Sequence, residues 1–455
     1  MHEEINRASI HRVIEAFSQA MTALGHQVPP LSIERWAIAV HHCLSSRARD
    51  FHTHQHILDI ARDADPLEIL AALYHDTVYI QVDLGVTEHF AALLQPLLRK
   101  EEAACRILPG AAQDPIAADV LAVFGRSPDE VLTPFTGLNE LASALVAAKE
   151  LEGVLTRPEQ LAVAACIEAS IPFRNEIGPE LERRLRALGI GAQDASAMVR
   201  RAVRLSNKDV GNFAAPDPGR FLDNTWKLLP ETNPSLRIVS TYTVRDYRVA
   251  LQKMEGFLAQ LPAERVFHAW GGEPAPEVHA QRVQAARINI DLAVRYLRCK
   301  LYGIAMVEAF AMESGGDAPL ELFMGGIPEP DGPCMRRIEQ YLPQLPHVNG
   351  LDPALLTLLQ VGRATASFFD LSTSPLASFL ISTLGEASVM AGFAQASDWW
   401  AEKSSAREFL LLQPRAATTA LAEAATHIAD TRAAALRALL RDITQPTTLE
   451  RPGRP

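Results

Sequence analysis

The chain has 455 residues, of which 48% are hydrophobic and 21% are charged, and its formal net charge is −11. This composition is typical of a soluble globular protein that is large enough for two or more domains. The negative charge and the lack of a long Lys or Arg run argue against a nucleic-acid or anionic-membrane surface, which needs a clustered basic patch. A small phosphate ligand needs only one or two cations, so the composition does not exclude it.

Apolar residues recur at three- and four-residue steps along nearly the whole chain. Because this spacing places them on one face of a helix, we predict an all-α fold. The first two predicted helices cover residues 5–24 and 32–46. A third begins within residues 52–56 and ends near residue 63, and a fourth begins after residue 65. The remaining predicted helices cover residues 87–100, 115–124, 134–155, 158–169, 192–210, 221–231, 236–261, 277–314, 353–369, 375–394 and 416–443.

The helix after Asp65 has the clearest start signal in the chain. Asp65 can cap the helix, Pro66 suits its first turn, and Glu68 stands three residues after the cap, which together predict a capping box. His75 and Asp76 would then fall in the third turn of this helix. A rigid element of this kind is where ligands are most easily positioned.

Composition changes at Gly315, after which Pro and Gly are frequent up to residue 352. Such a stretch is typical of a boundary rich in loops. We therefore predict a large helical domain over residues 1–314, a loop-rich linker over 315–352, a C-terminal helical domain over 353–443 and a flexible tail over 444–455.

The cysteines and the apolar segments predict a cytoplasmic protein. The five cysteines are scattered and form no CxxC pair, so we expect neither a disulfide framework nor a cysteine-ligated zinc site. The N-terminal segment lacks the apolar core of a signal peptide. The apolar stretch over 366–396 is interrupted by Asp370, Pro375 and Glu386, so we expect a buried helix pair and no membrane partner.

The densest group of potential metal ligands lies in the run RDFHTHQHILDIARDADPLEILAALYHDTVY. The run begins with the histidines His52, His54 and His56, and the pair His75-Asp76 stands near its end. Imidazole and carboxylate ligands together suit Mn, Fe, Zn, Ni or Co and leave positions for water and substrate. Because adjacent helical residues diverge by roughly 100°, an earlier helix and a later one would have to complete a site around this pair.

This pattern resembles the HD superfamily of metal-dependent phosphohydrolases, whose signature is a histidine, a His-Asp pair and a distant aspartate on a helical core. RDFHTHQHI is similar to the R-x-Y-H-N-x-x-H-[IV] run of cyclic-nucleotide phosphodiesterases and of predicted bacterial HD phosphohydrolases, and ALYHDTVY is similar to a segment of the latter group. The resemblance implies an HD-type metal-binding core in the large domain. The metal ligands that it implies are His56, His75, Asp76 and Asp209. Asp209 stands far along the chain, and Asp223 is an alternative for this position.

The same resemblance implies roles around the metal. In the similar phosphodiesterases the histidine at the position of His52 protonates the leaving oxygen, so we predict His52 as the general acid. A Glu that often follows an Asn lines the site roughly a dozen residues after the His-Asp pair, and Glu88 stands there behind Thr87. Asp209 or Asp76 would orient a water whose pKa the metal lowers.

Other polar residues of the run and of the later helices lie near the motifs in the sequence. His54 points away from His52 and His56 on a helix, and we predict that it neither binds the metal nor acts as the acid. Cations that could contact a phosphate are Arg49, Arg174, Arg204 and Lys208.

Three functions are compatible with this pattern. The leading hypothesis is hydrolysis of a small phosphoester (a phosphomonoester, a nucleotide or a cyclic nucleotide) with divalent Mn, Mg, Fe, Ni, Co or Zn. The second is a non-catalytic helical protein that senses a nucleotide or binds a partner, and homo-oligomers are compatible with either. The third is an iron oxygenase of HD type, but between Thr77 and Lys208 the chain offers only His89 as a further histidine.

Overall fold

The structure is a computed structural model that describes residues 8–83, 86–102, 104–327 and 335–444. Helices make up 67% and strands 4% of it, which confirms the prediction of a mostly helical protein. The four cysteines within the described ranges are free and buried, whereas Cys334 lies outside these ranges. The tail predicted as flexible also lies outside them from residue 445 onward.

The chain forms two compact units, each built from two segments. Unit 1 comprises Met1–Pro216 and Leu261–Ile288, and unit 2 comprises Asp217–Gln260 and Asn289–Pro455. This division differs from the boundary expected at Gly315. Loop-rich composition marks where secondary structure is interrupted, whereas a unit is defined by the segments that pack together.

In its first segment, the described residues of unit 1 form twelve α-helices. They are α1 Ser9–Ala23, α2 Pro30–Leu44, α3 His54–Ala61, α4 Pro66–Tyr74, α5 Ile80–Asp83, α6 Glu88–Leu94, α7 Gly110–Gln113, α8 Pro115–Phe124, α9 Leu138–Glu150, α10 Arg157–Ala169, α11 Gly178–Ala187 and α12 Ala192–Asp209. Short 3-10 helices cover Pro134–Thr136, Gly211–Ala214 and Ala263–Arg265.

A small antiparallel sheet is one part of unit 1 that the sequence prediction missed, and helix α11 is another. Its three strands are β1 Leu98–Glu101, β2 Ala104–Ile107 and β3 Val131–Leu132, in that order. The helix predicted over 87–100 is therefore wrong in its second half. Helix α6 ends directly before Gln95 and Pro96. Gln95 still has helical backbone angles, but Pro96 supplies no N–H with which the helix could continue.

Helix α4 lies at the centre of unit 1 and begins as predicted. The carboxylate of Asp65 accepts from the N–H groups of Leu67 and Glu68 at 3.0 Å each, and Glu68 accepts from the N–H of Asp65 at 3.4 Å. Leu70 and Tyr74 are fully buried. Helix α4 packs against α3, α9, α10 and α12, so these helices are held around one apolar core.

The end of α4 differs from the prediction. The helix ends at Tyr74, so His75 is its C-cap and Asp76 follows in a turn, whereas both were expected in the third helical turn. The backbone N–H of Thr77 donates to the carbonyl of Tyr74 at 3.0 Å, and the Thr77 hydroxyl donates to the same carbonyl at 2.8 Å. The N–H of Val78 then donates to a side chain of α9, which directs the chain away from the helix axis.

In its described ranges the regular secondary structure of unit 2 is helical, apart from isolated β-bridges. Its helices are α13 Pro218–Thr232, α14 Val244–Gln260, α15 Pro276–Gly315, α16 Leu320–Met324, α17 Pro353–Gln360, α18 Pro375–Leu384, α19 Glu386–Trp400, α20 Ala406–Leu412, α21 Arg415–Thr426 and α22 Ala433–Thr444, with α15 beginning in the second segment of unit 1. Short 3-10 helices cover Pro234–Arg237, Ile338–Tyr341 and Asp430–Arg432.

The long predicted helices of unit 2 are broken more often than expected. The helix predicted over 375–394 is the pair α18 and α19, separated by Gly385 at a φ of +82°, a conformation that only glycine adopts readily. Among the described helices none alone is long and apolar enough to cross a membrane, and α18 and α19 pass that test only as a pair bent by 116°.

Candidate metal centre

Four side chains of unit 1 that could bind a metal meet at the C-terminal end of α4. His56 comes from α3, His75 and Asp76 from the end of α4 and the turn after it, and Asp209 from the last residue of α12. Ligand atoms of His56, His75 and Asp209 all lie within 4.8 Å of one another. We call these four residues the ligand cluster.

The distances within the ligand cluster place two carboxylate oxygens between two imidazole nitrogens. Oδ1 of Asp209 lies 3.0 Å from Nε2 of His56 and 3.6 Å from Nε2 of His75. Oδ2 of Asp76 lies 3.4 Å from Nε2 of His56 and 3.0 Å from Nε2 of His75. All four side chains therefore direct potential ligand atoms at one small volume.

The ring of His75 is held so that Nε2 faces this volume. His75 is buried, and its Nδ1 donates to the backbone carbonyl of Ala72 at 2.9 Å. A neutral ring with its proton on Nδ1 presents the lone pair of Nε2 to the cluster. Within the described residues, Nε2 of His75 and Oδ2 of Asp76 make no hydrogen bond. Buried lone pairs that face each other are costly unless a proton or a cation lies between them, so the site fits a metal ion.

The electrostatics of the cluster also favour a cation. Burial by itself lowers the pKa of His75, but the charges of Asp76 and Asp209 outweigh it and the pKa lies well above its usual value. Burial by itself raises the pKa of Asp209, but His56 and His75 outweigh it and lower that pKa to about 2. The carboxylates are thus ionised at neutral pH and hold a proton on His75, and a divalent ion could displace that proton.

Arg49 positions the backbone beside the cluster. Its fully buried guanidinium pairs with Asp83, with Nε 2.8 Å from Oδ1, and donates through Nη1 to the carbonyls of Asp76 at 2.6 Å and His52 at 3.3 Å. These bonds link the segment before α3 to the turn after α4. Arg49 is therefore a positioning residue, because its N–H groups donate to acceptors of the protein and not to a phosphate.

The other cations considered for phosphate binding also have protein partners. Arg174 donates to Glu168 at 2.7 Å, Arg204 donates to Glu68 at 2.6 Å, and Lys208 donates to a backbone carbonyl at 2.9 Å. Each of them stabilises the fold in this structure.

His52 lies beside the ligand cluster, although it precedes α3. Its ring centroid is 6.0 Å from that of His56 and 4.5 Å from that of Tyr79. Burial by itself raises the pKa of Asp76, but the charges of His75 and of the nearby His52 outweigh it and lower that pKa. His54 instead stacks on His41, with ring centroids 5.1 Å apart.

The structure places Glu88 and a second carboxyl, Glu140, in different surroundings. Glu88 is exposed in the first turn of α6 and is not part of the ligand cluster. Glu140, in the first turn of α9, is close enough to Asp76 and Asp209 that burial and their charges raise its pKa to about 7. Its Oε2 has no hydrogen-bond partner among the described residues. The sequence contained a signal for Glu140, because it follows Asn139 and so forms the Asn-Glu pair that the resemblance implies. This pair stands much later in the chain than Glu88.

The two remaining candidates have other partners. Asp223, the alternative distant aspartate, lies on α13 in unit 2, where its carboxylate accepts from the N–H of Thr365 at 3.0 Å. His89, the further histidine considered for an iron oxygenase, lies 2.8 Å from the carboxylate of Glu150.

No protein-family model, curated protein or solved structure matches this chain. The function of the chain is therefore inferred from its own motifs and from the geometry of the ligand cluster.

Proposed function

We propose that this chain is a metal-dependent phosphohydrolase of the HD type that acts on a small phosphoester. The observation that supports the proposal most is the convergence of two imidazole nitrogens and two carboxylate oxygens, in which Nε2 of His75 and Oδ2 of Asp76 are buried 3.0 Å apart without hydrogen-bond partners in the described ranges. The order of these residues along the chain, a histidine, a His-Asp pair and a distant aspartate, is the HD signature.

The ligand cluster would hold one divalent ion, such as Mn, Mg, Fe, Ni, Co or Zn. Two carboxylates balance the charge of such an ion, which reduces the cost of burying it, and neutral imidazoles complete the set. When bound, the ion supplies Lewis-acid polarisation of a phosphoryl oxygen and lowers the pKa of a water.

Residues around the cluster would move the protons of the reaction. His52, 6.0 Å from His56 between ring centroids, is the candidate that donates a proton to the leaving oxygen. Asp209 or Asp76 would accept a hydrogen bond from the attacking water and orient it. Glu140, whose pKa burial raises to about 7, is suited to hold or release a proton at neutral pH. Glu140 takes the role that the sequence assigned to Glu88.

The test combines metal analysis with a substrate panel. Purified protein is analysed for bound metal and then assayed against phosphomonoesters, phosphodiesters, nucleotides and cyclic nucleotides with each candidate ion. We expect turnover by the wild type, loss of turnover in Asp76→Ala, and unchanged turnover in Asp59→Ala, which removes an exposed carboxylate from the same helix as His56.

The outcomes of this experiment separate the three hypotheses. If the wild type turns over no phosphoester with any of the ions, the proposal fails. Nucleotide binding by protein without metal would indicate the sensor, and two bound irons per chain would indicate the oxygenase.

A further inference from the structure

Tyr79 stands three residues after Asp76 and lies beside His52, the candidate general acid. The centroids of the two rings are 4.5 Å apart, and the ring planes meet at 69°. Both side chains are partly buried. Rings at this distance and angle make an edge-to-face contact, which favours one relative orientation over the others.

The orientation of His52 depends on contacts of this kind. His52 precedes α3, which begins at His54, so helical geometry does not fix its side chain. The ring of Phe51 contacts the imidazole at 4.9 Å between centroids and 84° between planes, but Phe51 belongs to the same turn as His52. Tyr79 comes from the segment after α4, so its contact ties the imidazole to another part of the site.

Helix α9 fixes the backbone on both sides of Tyr79. The N–H of Val78 donates to Oγ of Ser143 at 3.0 Å. The N–H of Ile80 donates to Oδ1 of Asn139 at 3.2 Å. Asn139 and Ser143 are buried and stand four positions apart, so they share one face of α9. Tyr79 is therefore held between two hydrogen bonds to a helix of the core.

Arg49 connects the two segments that meet at this contact. Its guanidinium carbon lies 5.7 Å from the centroid of the Tyr79 ring, which is a cation–π distance. The same guanidinium pairs with Asp83, four residues after Tyr79, and donates to the carbonyl of His52 at 3.3 Å. The position of the Tyr79 ring relative to His52 is thus determined by α9 and by Arg49.

A general acid works only while its proton is within hydrogen-bond reach of the leaving oxygen. In the proposed hydrolysis the oxygen of water bonds to phosphorus, the bond from phosphorus to the leaving oxygen breaks, and that oxygen takes a proton from His52. The proton that water loses replaces it after each turnover. An imidazole that rotated freely would point its proton at the leaving oxygen only part of the time, so rotation would slow this step.

We propose that Tyr79 is a positioning residue of this reaction, because its ring holds the imidazole of His52 toward the leaving oxygen. Asn139 and Ser143 of α9 hold Tyr79 in turn. Tyr79 donates no proton in this role and touches no reacting atom. The inference rests on the proposed function, since it assigns the purpose of the contact to proton donation by His52.

The dependence of turnover on the leaving group tests this role. Alkyl phosphoesters need a proton on the leaving oxygen, whereas 4-nitrophenyl phosphoesters release a stable phenolate that needs little protonation. Tyr79→Leu should lower kcat for alkyl esters about tenfold or more, by much less for 4-nitrophenyl esters, and should change KM little. Tyr79→Phe keeps the ring and should recover most of the loss.

A matched control and a second variant accompany this measurement. Tyr341 also contacts a histidine, His427, at 4.7 Å between ring centroids, but it lies in unit 2, so Tyr341→Leu should leave both rates unchanged. Ser143→Ala removes the acceptor of Val78 and should reproduce part of the loss for alkyl esters. Equal losses for both classes of ester in Tyr79→Leu would show a general disturbance of the site and overturn the proposal.

The ring protons of His52 give a readout that does not need activity. NMR spectra of the metal-free chain with isotope-labelled histidine report the contact, and His52→Gln identifies the His52 signals. These signals should move in Tyr79→Leu but stay near their wild-type positions in Tyr79→Phe and Tyr341→Leu. Unmoved signals in Tyr79→Leu would overturn the proposal. If the signals move but the wild type turns over no phosphoester, the proposed function fails, whereas the orientation of His52 by Tyr79 stands.

Discussion

Nε2 of His75 and Oδ2 of Asp76 lie 3.0 Å apart at the buried end of α4, yet neither atom has a hydrogen-bond partner in the described ranges. Nδ1 of His75 is already bonded to the carbonyl of Ala72, which orients the ring. Without a metal, the raised pKa of His75 keeps a proton between these two atoms, and a divalent cation that displaced this proton would have both atoms as ligands.

The first prediction is that Asp76→Asn loses bound metal. This change keeps the size of the side chain but removes the charge that balances a divalent ion, so we expect metal affinity to fall at least tenfold. Metal content is measured after dialysis, and affinity is measured by competition with a chelator. Asp59→Asn, on the exposed face of α3, is the control and should retain the metal. Full metal retention in Asp76→Asn would contradict the assignment.

The second prediction concerns His52. In the presence of metal and a substrate found by the panel, His52→Gln should lower kcat by about a hundredfold or more, because general acid catalysis typically contributes that much. Metal content should stay at the wild-type value, since His52 is not a proposed ligand. His54→Gln is the matched control, as His54 stacks on His41, and it should keep most of the activity. Equal losses in both variants would argue against an acid role for His52.

The third prediction concerns the buried pair of Arg49 and Asp83. Arg49→Met leaves a carboxylate and two backbone carbonyls without their donor, so we expect the free energy of unfolding to fall by about 3 to 5 kcal/mol. The double variant Arg49→Met/Asp83→Asn should recover part of this loss. Arg157→Met breaks an exposed pair with Asp119 and should cost about 1 kcal/mol or less. Urea unfolding measures all of them, and similar losses in the two single Arg variants would refute the prediction.

The fourth prediction is a pH dependence from Glu140. Its pKa is about 7 in the folded chain against an ordinary value of 4.5, so folding favours the neutral carboxyl. Ionisation of Glu140 therefore lowers the free energy of unfolding. This loss is absent below pH 4.5, grows as the pH rises through that value, and is complete above pH 7. Glu140→Gln removes it, and in metal-free protein we expect this variant to gain up to about 3 kcal/mol over the wild type at pH 8 but little at pH 4.

Unfolding by urea in a chelator at several pH values measures this difference. A gain for Glu140→Gln that is the same at pH 4 and pH 8 would show that ionisation of Glu140 is not its cause.

The fifth prediction compares two glycines inside helices of unit 2. A Cβ on Gly392 of α19 would lie 2.3 Å from the ring of Tyr302, whereas a Cβ on Gly256 of α14 would meet no atom within 4 Å. Gly392→Ala should therefore destabilise the protein by about 1 to 3 kcal/mol through overpacking. Gly256→Ala should stabilise it by about 0.5 to 1 kcal/mol, because alanine loses less conformational entropy in a helix. Thermal or urea unfolding checks both signs.

Local features of the structure could be predicted from the sequence because neighbouring residues determine them. The capping box of Asp65 and Glu68 involves residues three positions apart, so its signal is complete within one helical turn. The start of α3 within the histidine run was predicted as well, although its N-cap Thr53 makes no side-chain capping hydrogen bond. By contrast, the strand β1 and the end of α4 at Tyr74 depend on contacts with other segments, and the sequence prediction missed both.

For the candidate site, the sequence by itself determined which residue types could bind a metal and nominated Asp209 for the distant position. Only the tertiary structure decided that Asp209 lies 3.0 Å from His56, because the packing of α12 against α3 and α4 joins residues far apart in the chain. It also placed Glu140 near the ligands and left Glu88 exposed, because distance along a chain does not determine distance in a fold.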